Sequence, residues 1–358
     1  MPLQQTPLAK WHKNNNAKMM EFGGWEMPLQ YEGILKEHKH CRDAVCIFDI
    51  SHMGEFIVSG PKAKEELSLI LTHDFSKLVP GKCKYGFMLN ERGGVIDDLI
   101  VYELEPEKFM IVVNAARMQI DFNWLKQHLK SSQIENKSFE IAKIDVQGPN
   151  SIQVIEQTFK QNFHSLTYFS FLKFQFQDVP ILLSRTGYTG ELGYEIYLPW
   201  DKAEQIWTLL LTNPLVKPAG LGARDTLRLE VGLPLYGQEL DENHTPVEAG
   251  YGFLITSSAN FIGKEHLNNI KEKLIPLNIH DRRSPRHNDK VFLEDRIVGR
   301  ITSGSFAPSL NHSIALAYVD KHRAEHNEFT INQGKRALTG VKTTLPFYKK
   351  GTARIKLT

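Results

Sequence analysis

Cysteine is scarce in this chain of 358 residues. Only Cys41, Cys46 and Cys83 occur, and none of them forms a C-x-x-C motif. A sparse, odd set of thiols argues against a disulfide framework and against a cysteine-based zinc knuckle, because both need paired cysteines at short spacing. The composition therefore predicts free thiols in a reducing compartment, and we expect the cytoplasm.

The sequence also lacks long apolar runs and a strong excess of charge of either sign. No window approaches the roughly 20 apolar residues of a transmembrane helix, and residues 1–18 lack the apolar stretch of a secretory signal. Lys and Arg number 43 against 41 Asp and Glu, a net charge of +2. Bulk charge therefore gives no reason to expect nucleic acid or a membrane as a partner. We expect a soluble protein that recognises anions only locally.

Several motifs of catalysis and cofactor binding are missing as well. The sequence has no Walker loop, no serine-nucleophile elbow and no H-E-x-x-H pair among its 14 histidines. His38 and His40 are two residues apart, so they do not share a face of the helix predicted there and make poor joint metal ligands. We therefore expect no metal site, and a positioned carboxylate is the leading candidate for catalysis.

Two adjacent carboxylates interrupt an apolar, β-prone run at residues 93–102. The sequence GGVIDDLIVY predicts a strand, whose alternation places Asp97 and Asp98 on opposite faces. A buried carboxylate without a partner costs several kcal/mol, so the chain needs a partner or a use for it. In the structural alternative, both side chains accept hydrogen bonds from loop amides after the Gly-Gly turn. Alternation alone does not choose between structure and function, nor between the two aspartates.

Two glycine-rich segments carry further candidates. Residues 187–195 space their glycines as G-x-x-G-x-x-G and lead into a strand, unlike a dinucleotide fingerprint. The segment offers two phenols and two carboxylates for a flat, amide-rich heterocycle, or it is an ordinary hairpin with surface charges. Residues 220–230 predict a helix with Arg224 and Arg228 on one face. These arginines can present two guanidiniums to carboxylates, or Arg228 can pair with Asp225 inside the helix.

The order of the predicted elements indicates the fold class. Paired strands alternate with single helices up to residue 274, which favours α+β domains with antiparallel sheets. Short strands alternate with turns from there on and predict a small all-β domain, either a barrel or a sandwich. We therefore predict two regions, residues 1–274 and residues 275–358.

Seven segments, in this order, resemble a known family. They are FGGWEMP (22–28), FDISHMGE (48–55), GGVIDDL (93–99), VQGP (146–149), SRTGYTGE (184–191), GLGARD (220–225) and ITSG (301–304). The set resembles the tetrahydrofolate-dependent aminomethyltransferase, the T-protein of the glycine cleavage system, over essentially the whole chain. The resemblance implies an α+β fold of three subdomains around a central folate cavity, the last of them a β-barrel.

The resemblance also implies a reaction and its partners. In that reaction the aminomethyl group on the lipoyl arm of H-protein is split and ammonia is released. The methylene passes to the co-substrate tetrahydrofolate, which gives 5,10-methylenetetrahydrofolate. The expected partners are therefore lipoylated H-protein and folate, and the chain is expected to be a monomer or a weak oligomer.

Site residues are carried over from the family motif by motif. Asp98 falls on the catalytic carboxylate, and Asp97 is then its structural partner. Glu195 is expected to pair with the pterin. The other implied site-lining or folate-contacting positions are Tyr188, Tyr85, Asn114, Arg224, Met53 and Tyr168, the last in a looser match.

Two other functions share part of this resemblance. A non-catalytic folate-binding relative keeps the pterin site but does not need Asp98. A folate-dependent demethylase domain acts beside a flavin oxidase, and the sequence shows no dinucleotide-binding half. The chain departs from the family pattern at residues 275–296 and 305–309, which concerns partner docking more than folate chemistry.

Overall fold

The computed structural model describes residues 2–333 and 336–357. The strands in these ranges are β1 (Gln4–Gln5), β2 (Lys18–Phe22), β3 (Trp25–Gln30), β4 (Val45–Asp49), β5 (Gly54–Ser59), β6 (Cys83–Leu89), β7 (Val95–Glu105), β8 (Lys108–Val113), β9 (Gln133–Asn136), β10 (Ile141–Gln147), β11 (Phe171–Phe176), β12 (Val179–Ser184), β13 (Gly193–Pro199), β14 (Val216–Pro218), β15 (Glu272–Ile279), β16 (Lys290–Leu293), β17 (Arg296–Ala307), β18 (His312–Asp320), β19 (Glu328–Gln333) and β20 (Arg336–Lys342). The α-helices are α1 (Ala9–Asn14), α2 (Ile34–Asp43), α3 (Ala63–Ile70), α4 (Met118–His128), α5 (Ser151–Phe159), α6 (Ala203–Leu211) and α7 (Leu221–Glu230).

A six-stranded sheet in the order β11-β12-β13-β10-β4-β14 forms the first large unit, and a small sheet of β1, β3 and β2 lies at the N-terminus. The large sheet is antiparallel except for the parallel pair of β14 and β4. On its central strand β10, Ala142, Ile144 and Val146 belong to the core shared with α5 and α6. Residues on the opposite face of β10 are polar and equally buried. One face of this sheet therefore packs on α5 and α6, and the other packs on α2, on α7 and on the second sheet, with the polar residues of β10 between them.

A five-stranded sheet in the order β6-β7-β8-β5-β9 forms the second unit. Helices α3 and α4 cover one of its faces, with Leu67 and Leu125 fully buried in a common core. Strands β6 and β7 pair as an antiparallel hairpin, in which Met88 lies opposite Asp97 and Phe87 lies opposite Asp98. The two aspartates point to opposite faces of the sheet, and Asp97 lies on the face covered by α4, beside Asp121.

The C-terminal unit is a closed barrel in the order β15-β18-β17-β16-β19-β20. The small all-β domain is therefore a barrel and not a sandwich, and its interior is filled by side chains such as Leu277, Ile301 and Phe329. The α+β class with antiparallel sheets and a C-terminal barrel is confirmed. The division of the chain after residue 274 stays a prediction, and β15 begins at Glu272.

Largely apolar clusters join the three units. Tyr102 of β7 and Tyr197 of β13 lie in one buried cluster between the sheets, with their hydroxyl oxygens 2.9 Å apart. Phe87 of β6 and Tyr318 of β18 share another cluster, which joins the second unit to the barrel. In the described ranges, no helix is long and apolar enough to cross a membrane.

Candidate active site

Asp98 stands near the start of β7, just after a tight turn. Its side chain is partly exposed, and both carboxylate oxygens are held: the Tyr85 hydroxyl donates to Oδ2 at 2.9 Å, and the side-chain amide of Asn114 donates to Oδ1 at 2.9 Å. The turn requires glycine, because a Cβ added at Gly94 would lie 1.9 Å from the carbonyl oxygen of Glu242. The carboxylate is thus fixed between a rigid turn and two neutral donors.

Asp97 faces the other way and is fully buried. The backbone N–H of Asn114 donates to its Oδ2 at 2.9 Å, and the Asn114 side-chain amide donates to its Oδ1 at 2.8 Å. Behind it, the buried carboxyl of Asp121 on α4 receives no hydrogen bond from the described residues. Burial and the charge of Asp97 raise the pKa of Asp121 well above its usual range, so Asp121 holds a proton that it donates to Asp97. The loop-amide alternative therefore describes Asp97 and not Asp98.

The proton affinity of Asp98 is unusual for an aspartate. Burial raises its pKa, and the neighbouring charge of Asp97 raises it further, to about 7, against the opposing hydrogen bonds from Tyr85 and Asn114. A carboxyl with such a pKa gains and loses its proton near neutral pH. Asp98 can therefore accept or return a proton at little cost, which is what a general acid or base requires.

Glu195 lies on β13, opposite Asp145 of β10. Its side chain is only 5% exposed. Its partners all gather on Oε2: the Thr186 hydroxyl at 2.8 Å, the Tyr197 hydroxyl at 3.2 Å, the Tyr102 hydroxyl at 3.4 Å and the Lys143 ammonium at 3.4 Å. No hydrogen bond from the described residues reaches Oε1. One oxygen is thus anchored and the other is left as an acceptor.

The charge state of Glu195 also suits a hydrogen-bond acceptor for a ligand. Burial raises the pKa of Glu195, but Lys143, Arg224 and the Thr186 hydroxyl outweigh burial and hold it below the usual range. Glu195 is therefore a carboxylate at neutral pH. A buried carboxylate with a free oxygen fits a ligand edge that carries N–H donors, such as the amino and ring N–H groups of a reduced pterin.

Arg224 of α7 reaches across to the β10 strand. Its guanidinium donates to the Asp145 carboxylate and lies 4.9 Å from the centre of the Tyr188 ring. Arg228 also acts on Tyr188, whose pKa its charge lowers. Its Nε donates to Asp225 at 2.8 Å within the helix, and its Nη1 donates to Glu239 at 2.9 Å. Each guanidinium thus binds a carboxylate inside the protein, and the Asp225–Arg228 pair expected within the helix is present. A functional role for the two arginines stays a prediction.

Met53 and Tyr168 border the same charged groups. The Met53 sulfur lies 3.5 Å from the Lys143 ammonium. Burial raises the pKa of Tyr168, and the charge of Glu195 contributes to the increase, while Arg354 lowers it from a position 5.9 Å from the ring centre. Both residues therefore lie close to the Glu195 side of the site.

The predicted residues gather in two neighbouring clusters. Tyr85 and Asn114 surround Asp98, whereas Arg224, Met53 and Tyr168 lie on the Glu195 side. Tyr188 lies between the two clusters, because its ring is 4.9 Å from the Arg224 guanidinium and its charge also acts on Tyr85. The clusters are near enough that the charge of Asp98 contributes to raising the pKa of Tyr188, whose main cause is burial. The structure thus brings all eight predicted residues to one region, while their roles stay predictions.

The glycine-rich segment contributes fewer polar groups than its sequence offers. Glu191 accepts a hydrogen bond from Arg42 at 2.8 Å and another from Thr352, in a structural ion pair away from Asp98. The Tyr194 ring is buried in the core of the six-stranded sheet. Only Tyr188 and Glu195 of its two phenols and two carboxylates line the candidate site.

Sequence reasoning missed the polar face of β10. Lys143, Asp145 and Gln147 alternate there with apolar residues and are all at most 1% exposed. The signal was the K-x-D-x-Q alternation itself, which in isolation looks like a solvent-facing edge of an amphipathic strand. Only the second sheet, packed over this face, turns it into the floor of a site.

Across residues 2–333 and 336–357, no group of three or more His, Cys, Asp or Glu side chains is placed to hold a metal ion. The site's reactive groups are carboxyls, phenols, amides and two cations.

The fold and this carboxylate-lined site define a protein class, the folate-binding aminotransferase fold with a C-terminal barrel. Residues 8–259 match the model of the GCVT N-terminal domain, and residues 273–349 match that of the glycine cleavage T-protein C-terminal barrel domain. The chain belongs to the aminomethyltransferase family, the T-proteins of the glycine cleavage system.

Individual relatives agree with this assignment. The aminomethyltransferase of Halothermothrix orenii is 42% identical over 356 residues, which cover 96% of this chain and 100% of that protein. The aminomethyltransferase of Thermotoga maritima is 41% identical, with 98% of this chain and 100% of that protein covered. The crystal structure of the glycine cleavage system aminomethyltransferase T from Bartonella henselae superposes with a TM-score of 0.92 at 33% identity, covering 98% of this chain and 99% of that one.

Proposed function

We propose that this chain is the aminomethyltransferase of a glycine cleavage system. In this proposal the C–N bond to ammonia and the C–S bond to the lipoyl arm of H-protein break, and the methylene forms two C–N bonds to tetrahydrofolate. The two N–H protons that tetrahydrofolate loses leave with ammonia and with the lipoyl thiol. Membership of the family over the whole chain supports the reaction class. The observation that carries the proposal is the pairing, in one site, of a proton-exchanging Asp98 with a carboxylate that keeps one oxygen free.

Glu195 orients the folate in this proposal. Its Oε1 accepts N–H donors of the pterin, and each charge-assisted hydrogen bond of this kind contributes about 1.5–3 kcal/mol. Arg224 and Tyr188 line the same side, and Met53 and Tyr168 limit the space around the ring. Tetrahydrofolate, when bound, supplies the nitrogen nucleophile that takes up the methylene.

Asp98 carries the proton chemistry. Its carboxylate, held by Tyr85 and Asn114, accepts the proton that the attacking nitrogen loses and stabilises positive charge that develops beside it. Because its pKa is about 7, the same group can afterwards deliver the proton to the departing ammonia. Such a positioned group typically contributes about 10²- to 10⁴-fold to the rate.

The decisive experiment measures ammonia release from aminomethylated H-protein with and without tetrahydrofolate. We expect rapid release and formation of 5,10-methylenetetrahydrofolate only when both are present. Release that depends on neither partner contradicts the proposal. Binding of a reduced folate with no ammonia release at all favours the non-catalytic folate-binding relative instead.

The setting of the reaction is part of the proposal. All three cysteines are free, buried thiols, which fits a reducing compartment, and we propose the cytoplasm. We also propose that residues 1–274 hold folate and that residues 275–358 form a separate barrel domain. Size-exclusion chromatography with light scattering tests the expected monomer or weak oligomer.

A further inference from the structure

The β10 strand carries a charged face inside the protein. Lys143, Asp145 and Gln147 point to the same side of the strand, and none is more than 1% exposed. Across the sheet, Asp145 is paired with Glu195 and Lys143 with Tyr197. Burying a lysine ammonium costs free energy unless an anion pairs with it. The anion that pairs with Lys143 therefore indicates the role of this lysine.

Among the residues that the structure describes, Lys143 has one anionic partner within salt-bridge distance. Its ammonium lies 3.4 Å from Oε2 of Glu195, and its other neighbours are the sulfur of Met53 at 3.5 Å and the face of the Tyr197 ring at 5.1 Å. Glu195 in turn has no other cation within salt-bridge distance among the described residues. Arg224, the next cation, is bound to Asp145.

Within the described ranges, the polar contacts of the Glu195 carboxylate are confined to one of its two oxygens, which leaves the other for a ligand. Lys143 and three hydroxyl groups all engage Oε2, so the carboxylate cannot rotate without losing several bonds at once. Oε1 keeps its full capacity to accept. Resting on the proposed function, we propose that Lys143 is a positioning residue that keeps Glu195 an oriented carboxylate with Oε1 presented to the pterin.

The charged and titratable groups around Glu195 decide how strongly its ionised state depends on Lys143. The titratable and charged side chains that face it are Lys143 and Asp145 from β10, Tyr197 from β13, Tyr102 from β7, Cys83 from β6, Glu55 from β5, Arg224 from α7 and Tyr168. Of the two carboxyls among them, Asp145 disfavours a charged Glu195, whereas burial raises the pKa of Glu55 well above its usual range and leaves it uncharged near neutral pH. Removal of Lys143 therefore leaves burial and like charge opposed only by Arg224 and the hydroxyls.

Loss of Lys143 should make folate binding depend on pH. With Lys143 present, the pKa of Glu195 lies below its usual range, so the carboxylate persists throughout the neutral range. Without the ammonium, the pKa of Glu195 rises, and the acid form, which accepts more weakly, accumulates as the pH falls. Folate affinity should then decrease toward acidic pH and recover toward alkaline pH.

The test uses the full chain and a stable reduced folate, 5-formyltetrahydrofolate, as the probe. Lys143→Met keeps much of the side-chain length and removes the charge. We expect calorimetry to show folate binding weakened at least about tenfold near pH 6 and only about threefold near pH 8.5, each relative to the wild type at the same pH. This ratio removes the titration of Asp98, which both chains share. With tetrahydrofolate as substrate, KM should rise while kcat at saturation is largely kept.

A double-variant comparison separates this role from a merely structural one. In a Glu195→Gln background the group no longer titrates, so Lys143→Met should change folate affinity by less than about twofold and without pH dependence. Lys173→Met is the matched control, because Lys173 is a half-exposed lysine of the same sheet and its loss should leave folate binding unchanged. Circular dichroism and thermal melting check that every variant folds, and Lys143→Gln replaces Lys143→Met if that variant does not.

Three results overturn the inference: unchanged affinity in Lys143→Met near pH 6, an equal loss at both pH values, or an equal loss in the Glu195→Gln background. These differ from failure of the proposed function, in which the wild-type chain itself binds no reduced folate.

Discussion

Replacing Asp98 by Asn removes the charge at the centre of the candidate site and keeps its shape. The amide oxygen of the new side chain can still accept one of the two hydrogen bonds that now come from Tyr85 and Asn114. We therefore expect folate binding to persist. Turnover should fall by about 10²- to 10⁴-fold, because the proton-exchanging group is gone.

The same substitution should make the protein more stable, with a defined dependence on pH. The pKa of Asp98 is about 7 in the folded chain and about 3.9 for an unfolded one. Folding therefore takes up a proton between these values, and the cost of the buried carboxylate grows from about pH 4 to about pH 7 and is constant above it. The difference corresponds to at most about 4 kcal/mol. Because the side chain is partly exposed, we expect about 2–3 kcal/mol.

Thermal melting across pH 4.5–8.5 measures this gain. Asp98→Asn should melt nearly as the wild type does at the acidic end and clearly above it at the alkaline end. Asp178→Asn is the matched control, since Asp178 is exposed and its substitution should give no such divergence. Equal melting temperatures at pH 8.5, or unchanged turnover, would refute the assignment of Asp98 as a strained functional carboxyl.

Three further predictions concern other parts of the molecule. Glu195→Ala should weaken reduced-folate binding roughly 10- to 100-fold in calorimetry, and a normal dissociation constant would count against its role. Arg228→Met leaves the buried Glu239, now 2.9 Å away, without its cation, and should lower stability by about 3–5 kcal/mol in a denaturant titration; a loss below about 1 kcal/mol would contradict this. Burial lowers the pKa of His244, but hydrogen bonds with Asp241 and Glu272 outweigh it and set the pKa at about 9. The stabilisation that protonated His244 contributes to the folded state is complete below about pH 6.5 and is lost as the pH rises through about 9. The free energy of unfolding of the wild type should therefore fall by about 1–3 kcal/mol over that range. A His244→Ala variant whose stability declines equally there would disprove the assignment.

The C-terminal barrel shows which features of a domain a local sequence pattern can predict. Short strands separated by turns indicated an all-β unit, but the same pattern suits a sandwich. Closure depends on the pairing of β15 with β20, which joins residues such as Leu277 and Lys342 far apart in the chain. No local signal encodes such a contact, because it is decided by how all six strands curve together.

Some residues of the candidate site could be predicted from the sequence, and others could not. The resemblance of ordered motifs named Asp98, Glu195 and their neighbours, because residue types at fixed spacing are visible in a sequence. It gave no reason to single out Lys143, since a lysine in an alternating strand usually faces water. Its burial beside Glu195 exists only because the second sheet covers that face.

Composition, periodicity and motif order are visible in the sequence, and they were enough to predict the class of fold and the family. The functional carboxylates were named only through the resemblance, and their roles stay predictions. The sequence also placed Asp97 and Asp98 on opposite faces of one strand without choosing between them. Only the tertiary structure decided which of them is held as a buried structural group and which stays partly open between Tyr85 and Asn114. The physical reason is that a carboxyl's proton affinity depends on the donors, charges and solvent around it, and those come from distant parts of the chain.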